Sequence, residues 1–169
     1  QWSAILDDDV DIDGDPDLVM ANSGLNTQYK PSEKEPMTLN IGDFDRNGNP
    51  DAVISYFIQG KSYPMASRDQ LLDQIPALKK KYIKYADYAD ATFESIFTAQ
   101  QLANATVLKC TEPASILLIN NGDLSFTRRS LPIEAQFSKT HSILSGDYDG
   151  DAKKDLLLFG NFFPYRSEL

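Results

Sequence analysis

The sequence predicts a mainly β fold interrupted by one helical insertion, and three observations carry that expectation. An acidic nine-residue string occurs three times, as DVDIDGDPD at 9–17, DFDRNGNPD at 43–51 and DYDGDAKKD at 147–155. Short apolar runs stand before and after each copy. Between the second and third copies, apolar residues recur at the spacing of a helix.

The runs WSAIL and DLVMAN enclose the first string, MTLNIG and DAVISYFI the second, HSILSG and DLLLFG the third. Strand, acidic loop, strand is a hairpin arrangement, and its repetition is the ground plan of a β-propeller blade. Strands are expected at about 38–42 and 52–59, then at about 114–120 and 124–131 with the turn Asn120-Asn121-Gly122-Asp123 between them. Those four would make one complete blade. Two partial blades are expected at about 2–23 and 141–163, so the chain 1–169 reads as a partial propeller with a helical insertion at about 63–108. Ser67 with Gln70 is a capping-box pattern, followed by Leu71, Ile75, Leu78 and Tyr82 at helical spacing as far as Lys84 or Tyr85. Pro76 should kink or split that helix. A second helical stretch is expected at about 89–97, and Thr98 with Gln101 opens a third piece to about Ala105. A closed propeller takes ~4 to 8 blades. The expectation is therefore completion by a longer chain or self-association through unpaired strand edges, and the start at Gln1 reads as a processed or excised piece.

Positions 1, 3, 5 and 9 of each string carry side-chain oxygens: Asp9, Asp11, Asp13 and Asp17; Asp43, Asp45, Asn47 and Asp51; Asp147, Asp149, Asp151 and Asp155. Eleven of the 25 acidic residues stand at these positions. Carboxylates so crowded repel one another unless a cation lies among them. Ca2+, with many oxygen ligands and tolerant geometry, suits such a set better than Mg2+. The backbone carbonyl at position 7 (Asp15, Asn49, Lys153) would complete each shell, giving up to three Ca2+ sites. Gly14 and Gly48 at position 6 supply a sharp turn. The third string has Gly150 at position 4 and Ala152 at position 6, so that loop is expected to turn differently, or less comfortably. A helical calcium loop needs a carboxylate at position 12, where this chain has Met20, Ile54 and Leu158; that class is excluded. Solvated turns rich in Asp, Asn and Gly would account for one copy, but less readily for three in one register.

These loops resemble those of the FG-GAP and VCBS repeats of integrin-like and bacterial surface propellers, in which DxDxDGxxD loops hold Ca2+. The wider wording ANSGLNTQYK, GDFDRNGNPD, SYPMASRDQLL, LPIEAQFS and GDYDGDAKKDLLLFGN is similar to the bacterial branch related to cartilage acidic protein, over nearly the whole chain. The resemblance implies a calcium-binding, non-enzymatic propeller module for binding, adhesion or assembly, with a protein or glycan partner of unspecified identity. It implies an extracellular, cell-surface or outer-membrane-associated location, consistent with loops tuned to ~0.1 to 1 mM Ca2+. The rival expectation is the propeller scaffold of a glycan-active or other hydrolytic enzyme. Departures from the pattern are Asp8, where Gly precedes the first Asp in the other copies (Gly42, Gly146), Asn47 and Ala152. Asp8 should add charge, and the loop with Asn47 should bind most weakly.

With 25 acidic against 16 basic residues the chain carries a formal charge of -9, the wrong sign for nucleic acid. No apolar run is long enough to span a membrane as a helix. Cys110 stands alone, which excludes an internal disulfide or a cysteine zinc site and leaves a small buried apolar side chain as the expectation. No catalytic residue is expected: the acids fall into symmetrical sets without an isolated carboxyl pair, and His141, with no nucleophile partner, reads as structural. Lys79, Lys80, Lys81 and Lys84 read as the wet face of a helix. Tyr82, Tyr85, Tyr88, Phe93 and Phe97 are expected to pack against the blade. Asn104-Ala105-Thr106 matches the glycosylation acceptor pattern.

Overall fold

The computed structural model describes residues 2–161, so the expected last strand positions 162 and 163 lie outside the described residues. In chain order the strands are β1 (Ala4–Asp8), β2 (Asp17–Ala21), β3 (Met37–Gly42), β4 (Asp51–Ile58) and β5 (Lys61–Pro64). There follow β6 (Thr106–Cys110), β7 (Ile116–Asn120), β8 (Phe126–Ser130), β9 (Lys139–Gly146) and β10 (Asp155–Asn161). All pairings are antiparallel, in two four-stranded sheets of order β1-β2-β7-β8 and β5-β4-β3-β6 and one two-stranded sheet of β9 and β10.

This pairing corrects the expected blade. The strands flanking the second acidic loop do not take β7 and β8 as neighbours. Instead β4 reverses through Gln59 and Gly60, both at positive φ (50° and 78°), and continues as β5. A two-residue turn of that hand matches the twist of the strands it joins. On its other side β3 pairs with β6, from Met37 opposite Cys110 to Ile41 opposite Thr106. The pair β7 and β8 joins the hairpin of the first loop, with Leu18 opposite Leu118 and Met20 opposite Ile116. β2 buries alternate residues, Asp17, Val19 and Ala21, so it is a central strand that needs a neighbour on both sides. β7, with Ile116 and Ile119 buried, is that neighbour.

The chain forms two compact units. One comprises the described residues through Gln28 and those from Pro113 onward; the other is Tyr29–Glu112. The α-helices belong to the second, which runs through α1 (Arg68–Gln74), a 3-10 turn at Pro76–Lys80, α2 (Tyr85–Ala89), α3 (Phe93–Ile96) and α4 (Ala99–Ala103), while a 3-10 turn at Ile133–Gln136 lies in the first. Both expected capping boxes form, at Ser67 with Gln70 and at Thr98 with Gln101. α1 stops just before Pro76, which lacks the donor a continuing helix requires. Of the expected stretch at 89–97 only α3 and the last residue of α2 are helical, and the two ends of the 63–108 interval are strand, so the helical part is narrower than expected.

Leu71, Ile75 and Tyr82 are buried as their spacing implies, with Leu78 half-buried, and they pack with Phe93, Phe97, Phe44 and Val53. The helices therefore cover the sheet at the stem of the second loop. Tyr85 departs from expectation: it is exposed, and Arg68 stacks over its ring at 4.7 Å. Tyr88 is half-buried and donates to the Ala66 carbonyl at 2.8 Å. The four lysines are exposed. Cys110 is half-buried rather than buried, and His141 is exposed on β9. No helix among the described residues is long and apolar enough to cross a membrane.

Candidate metal centres

Each acidic loop is a tight turn between two strands, and the three are built by one hydrogen-bond plan. The position-1 carboxylate accepts from the backbone N–H groups of positions 5 and 6: Asp9 from Asp13 (3.0 Å) and Gly14 (3.1 Å), Asp43 from Asn47 (2.9 Å) and Gly48 (2.9 Å), Asp147 from Asp151 (3.1 Å) and Ala152 (3.0 Å). The position-5 side chain accepts from the N–H of position 7, which fixes Asp15, Asn49 and Lys153 at 2.8–3.0 Å. The position-9 carboxylate accepts from the N–H of position 2, at Val10, Phe44 and Tyr148, each at 3.0 Å. Spacing produces this plan because the side chains at positions 1, 5 and 9 return toward the loop's own amides, as short Asp and Asn side chains do in turns.

The third loop does not turn differently, contrary to expectation. Positions 4 and 6 lie at positive φ in all three: Ile12 (64°) and Gly14 (102°), Arg46 (61°) and Gly48 (89°), Gly150 (84°) and Ala152 (65°). The backbone demands two left-handed residues per loop. A glycine supplies one of them, at position 6 in two loops and at position 4 in the third.

Carboxylate oxygens converge within 4.8 Å of one another in three sets: Asp9, Asp11 and Asp13; Asp43, Asp45 and Asp51; Asp147, Asp149 and Asp155. Each set could hold a metal ion. Asp151 is turned partly to Lys153, whose Nζ lies 3.3 Å from its Oδ2. Position 9 anchors the base of the loop, with Asp17 and Asp51 buried and Asp155 half-buried. The crowding has an electrostatic signature. Partial desolvation, then repulsion from Asp13, Asp17 and Asp9, pushes the Asp11 carboxyl above its ordinary range. Desolvation likewise pushes Asp51 up, with repulsion from Asp45 and Asp43 adding to it and the Phe44 N–H opposing it. Both groups are strained as anions, the condition a divalent cation relieves.

Four residues outside the expected set help to shape these loops. Asn120, in β7, donates its N–H to Asp17 Oδ1 at 2.8 Å and its side-chain amide to the Pro16 carbonyl at 3.2 Å, tying the first loop to the neighbouring strand. Nothing in its sequence surroundings points to the loop, about a hundred residues earlier. Asp8, noted in the sequence for replacing a glycine, accepts from the Ser145 hydroxyl and from Lys154 Nζ at 3.0 Å. Those two partners hold its carboxyl below the ordinary range, Ser145 more than Lys154. Its added charge is thus paired. Comparison with family models, curated proteins and solved structures finds no match to this chain.

Proposed function

We propose that the three loops bind Ca2+ and that the chain is a calcium-stabilised segment of a β-propeller, a non-enzymatic module for binding, adhesion or assembly in a secreted or cell-surface protein. One observation carries this reading: three loops distant in sequence share one backbone path and one hydrogen-bond plan, and each gathers carboxylate oxygens within 4.8 Å. Hard oxygen donors in a small flexible turn are the chemistry of Ca2+ ligation. The antiparallel sheets, each with an acidic loop joining two adjacent strands, support the blade interpretation. Leu144, Leu157 and Phe159 are each about half-exposed on the two-stranded sheet, apolar surface suited to a further strand pair from a longer chain or a second copy.

Calorimetric titration of the chelator-stripped chain tests the reading. Three Ca2+ should bind and Mg2+ should replace them poorly, because Mg2+ holds to a smaller octahedral shell. Asp11→Ala, Asp45→Ala and Asp149→Ala should each remove about one ion. Absence of calcium uptake overturns the proposal.

A further inference from the structure

Asp8 is the last residue of β1 and immediately precedes Asp9, the first oxygen donor of the first loop. Its carboxylate reaches across to the third loop and holds it on both sides. Ser145, two residues before Asp147, donates its hydroxyl to Asp8 Oδ2. Lys154, the residue before Asp155, places Nζ at 3.0 Å from Oδ2 and 3.3 Å from Oδ1. Ser145 pairs with Leu156 and Gly146 with Asp155 across the β9–β10 hairpin, so Asp8 grips the two strands where they enter the third loop. Neither partner is freely solvated: the side chains of Lys154 and Asp8 are 35% and 24% exposed.

We infer that Asp8 is a clamp that couples the first and third loops, so that an ion in one raises the affinity of the other. The inference rests on the calcium reading of the loops. A cation among Asp9, Asp11 and Asp13 fixes the backbone at Asp9 and therefore the end of β1 that carries Asp8. The ordered carboxylate in turn fixes Ser145 and Lys154, which sets the spacing of Asp147 and Asp155 before the second ion arrives. The ordering cost is then met once for two ions, which is positive coupling. The second loop has Gly42 at the equivalent position and no side chain with which to make such a clamp.

Calcium titration of the full chain, followed through the amide resonances of Gly14, Gly48 and Gly150, resolves the three loops. Asp11→Ala should weaken calcium binding at the third loop by about fivefold or more, the lower end of ordinary coupling energies, and leave the second within twofold. In an Asp8→Gly background, and separately in Lys154→Gln, the same Asp11→Ala change should leave the third loop unaffected. Retained hydrogen-exchange protection of the Val19 amide, in the unit that carries the first and third loops, checks that the variants fold. If Asp11→Ala leaves the third loop's affinity unaltered in the parent chain, or if the coupling survives Asp8→Gly, the clamp is overturned while the calcium reading stands. If no loop takes up calcium, both fall.

Discussion

Among the described residues the chain packs a large apolar cluster around the second acidic loop and a smaller one around the first and third. In the unit Tyr29–Glu112, Phe44 and Val53 at the loop's stem meet Leu71, Leu72, Ile75, Tyr82, Ala91, Phe93, Ile96 and Phe97. Among the described residues of the other unit the buried apolar cluster is Val19, Ala21, Leu131 and Ile143, with Ala114, Ile116 and Ile119 buried beside them. What stands in its place is polar. Gln136, fully buried, accepts the Ser115 N–H at 2.9 Å and donates to the carbonyls of Ser115 (2.8 Å) and Leu131 (3.2 Å). Its own carbonyl receives the N–H groups of Leu25 and Asn26 at 2.9 and 3.1 Å, and it sits so close to Gly24 that a Cβ there would lie 2.4 Å from it. Hydrogen bonds of this kind fix geometry, but each adds only ~1 kcal/mol net, less than a buried Leu or Phe. A unit with fewer buried apolar anchors among its described residues and two acidic loops depends more on whatever neutralises those loops.

The largest expected effect follows from that contrast. On the calcium reading each occupied loop adds ~2.7 kcal/mol at a hundredfold excess of ion over Kd, so the unit with two loops gains about twice what the other gains. Hydrogen exchange at the Val19 amide reports one unit and that at Val53 the other. Chelator should accelerate exchange at Val19 far more than at Val53. Equal acceleration at both would show that the apolar cluster does not insulate the helical unit, and the contrast drawn between them would fail.

The complementary test removes apolar packing instead. Leu71 is fully buried within the helical cluster, and Leu71→Ala should cost about 2 to 5 kcal/mol. Leu78, half-buried at the cluster's edge, should cost clearly less. Denaturation midpoints in saturating calcium measure both. Similar losses at the two positions would mean that the helices rest on the sheet as a loose cover and not as part of its core.

How much of this was legible in sequence differs between loops and sheets for a physical reason. A metal-type loop is local: all of its oxygens lie within nine residues, so spacing alone exposed Asp9 to Asp17 and its two repeats. The capping boxes at Ser67 and Thr98 and the break at Pro76 were legible on the same grounds. Sheet neighbours are not local. β2 pairs with β7 nearly a hundred residues downstream, and nothing in DLVMA or ILLIN distinguishes that pairing from the one expected. The hairpin at Gln59-Gly60 escaped because Gln is not among the residues that usually announce positive φ, and β5 was therefore absorbed into the insertion. Asp8 was visible as a departure, but its partners Ser145 and Lys154 could emerge only from the packing of β1 beside β9.

The smallest effects lie in the loop backbones, where the two units share the same strain. Ile12 at φ 64° and Ala152 at φ 65° occupy left-handed positions that L residues adopt at a cost of ~1 to 2 kcal/mol, more for a β-branched side chain. Replacement by glycine removes that cost, but restores ~0.5 to 1 kcal/mol of unfolded-chain entropy. Ile12 is 57% exposed, so little apolar burial is lost with it. Ile12→Gly should therefore stabilise the calcium-loaded chain by about 1 kcal/mol and Ala152→Gly by about half that, whereas Gly150→Ala, at φ 84°, should destabilise. The same variants in chelator separate two states of the empty loop. If the ion is what holds the turn, the strain relaxes without it, and the glycine gains should vanish from the denaturation midpoint and reappear as tighter calcium binding. If the gains persist undiminished in chelator, the turns are held by their own hydrogen bonds, and the ion adds charge balance to a loop already formed.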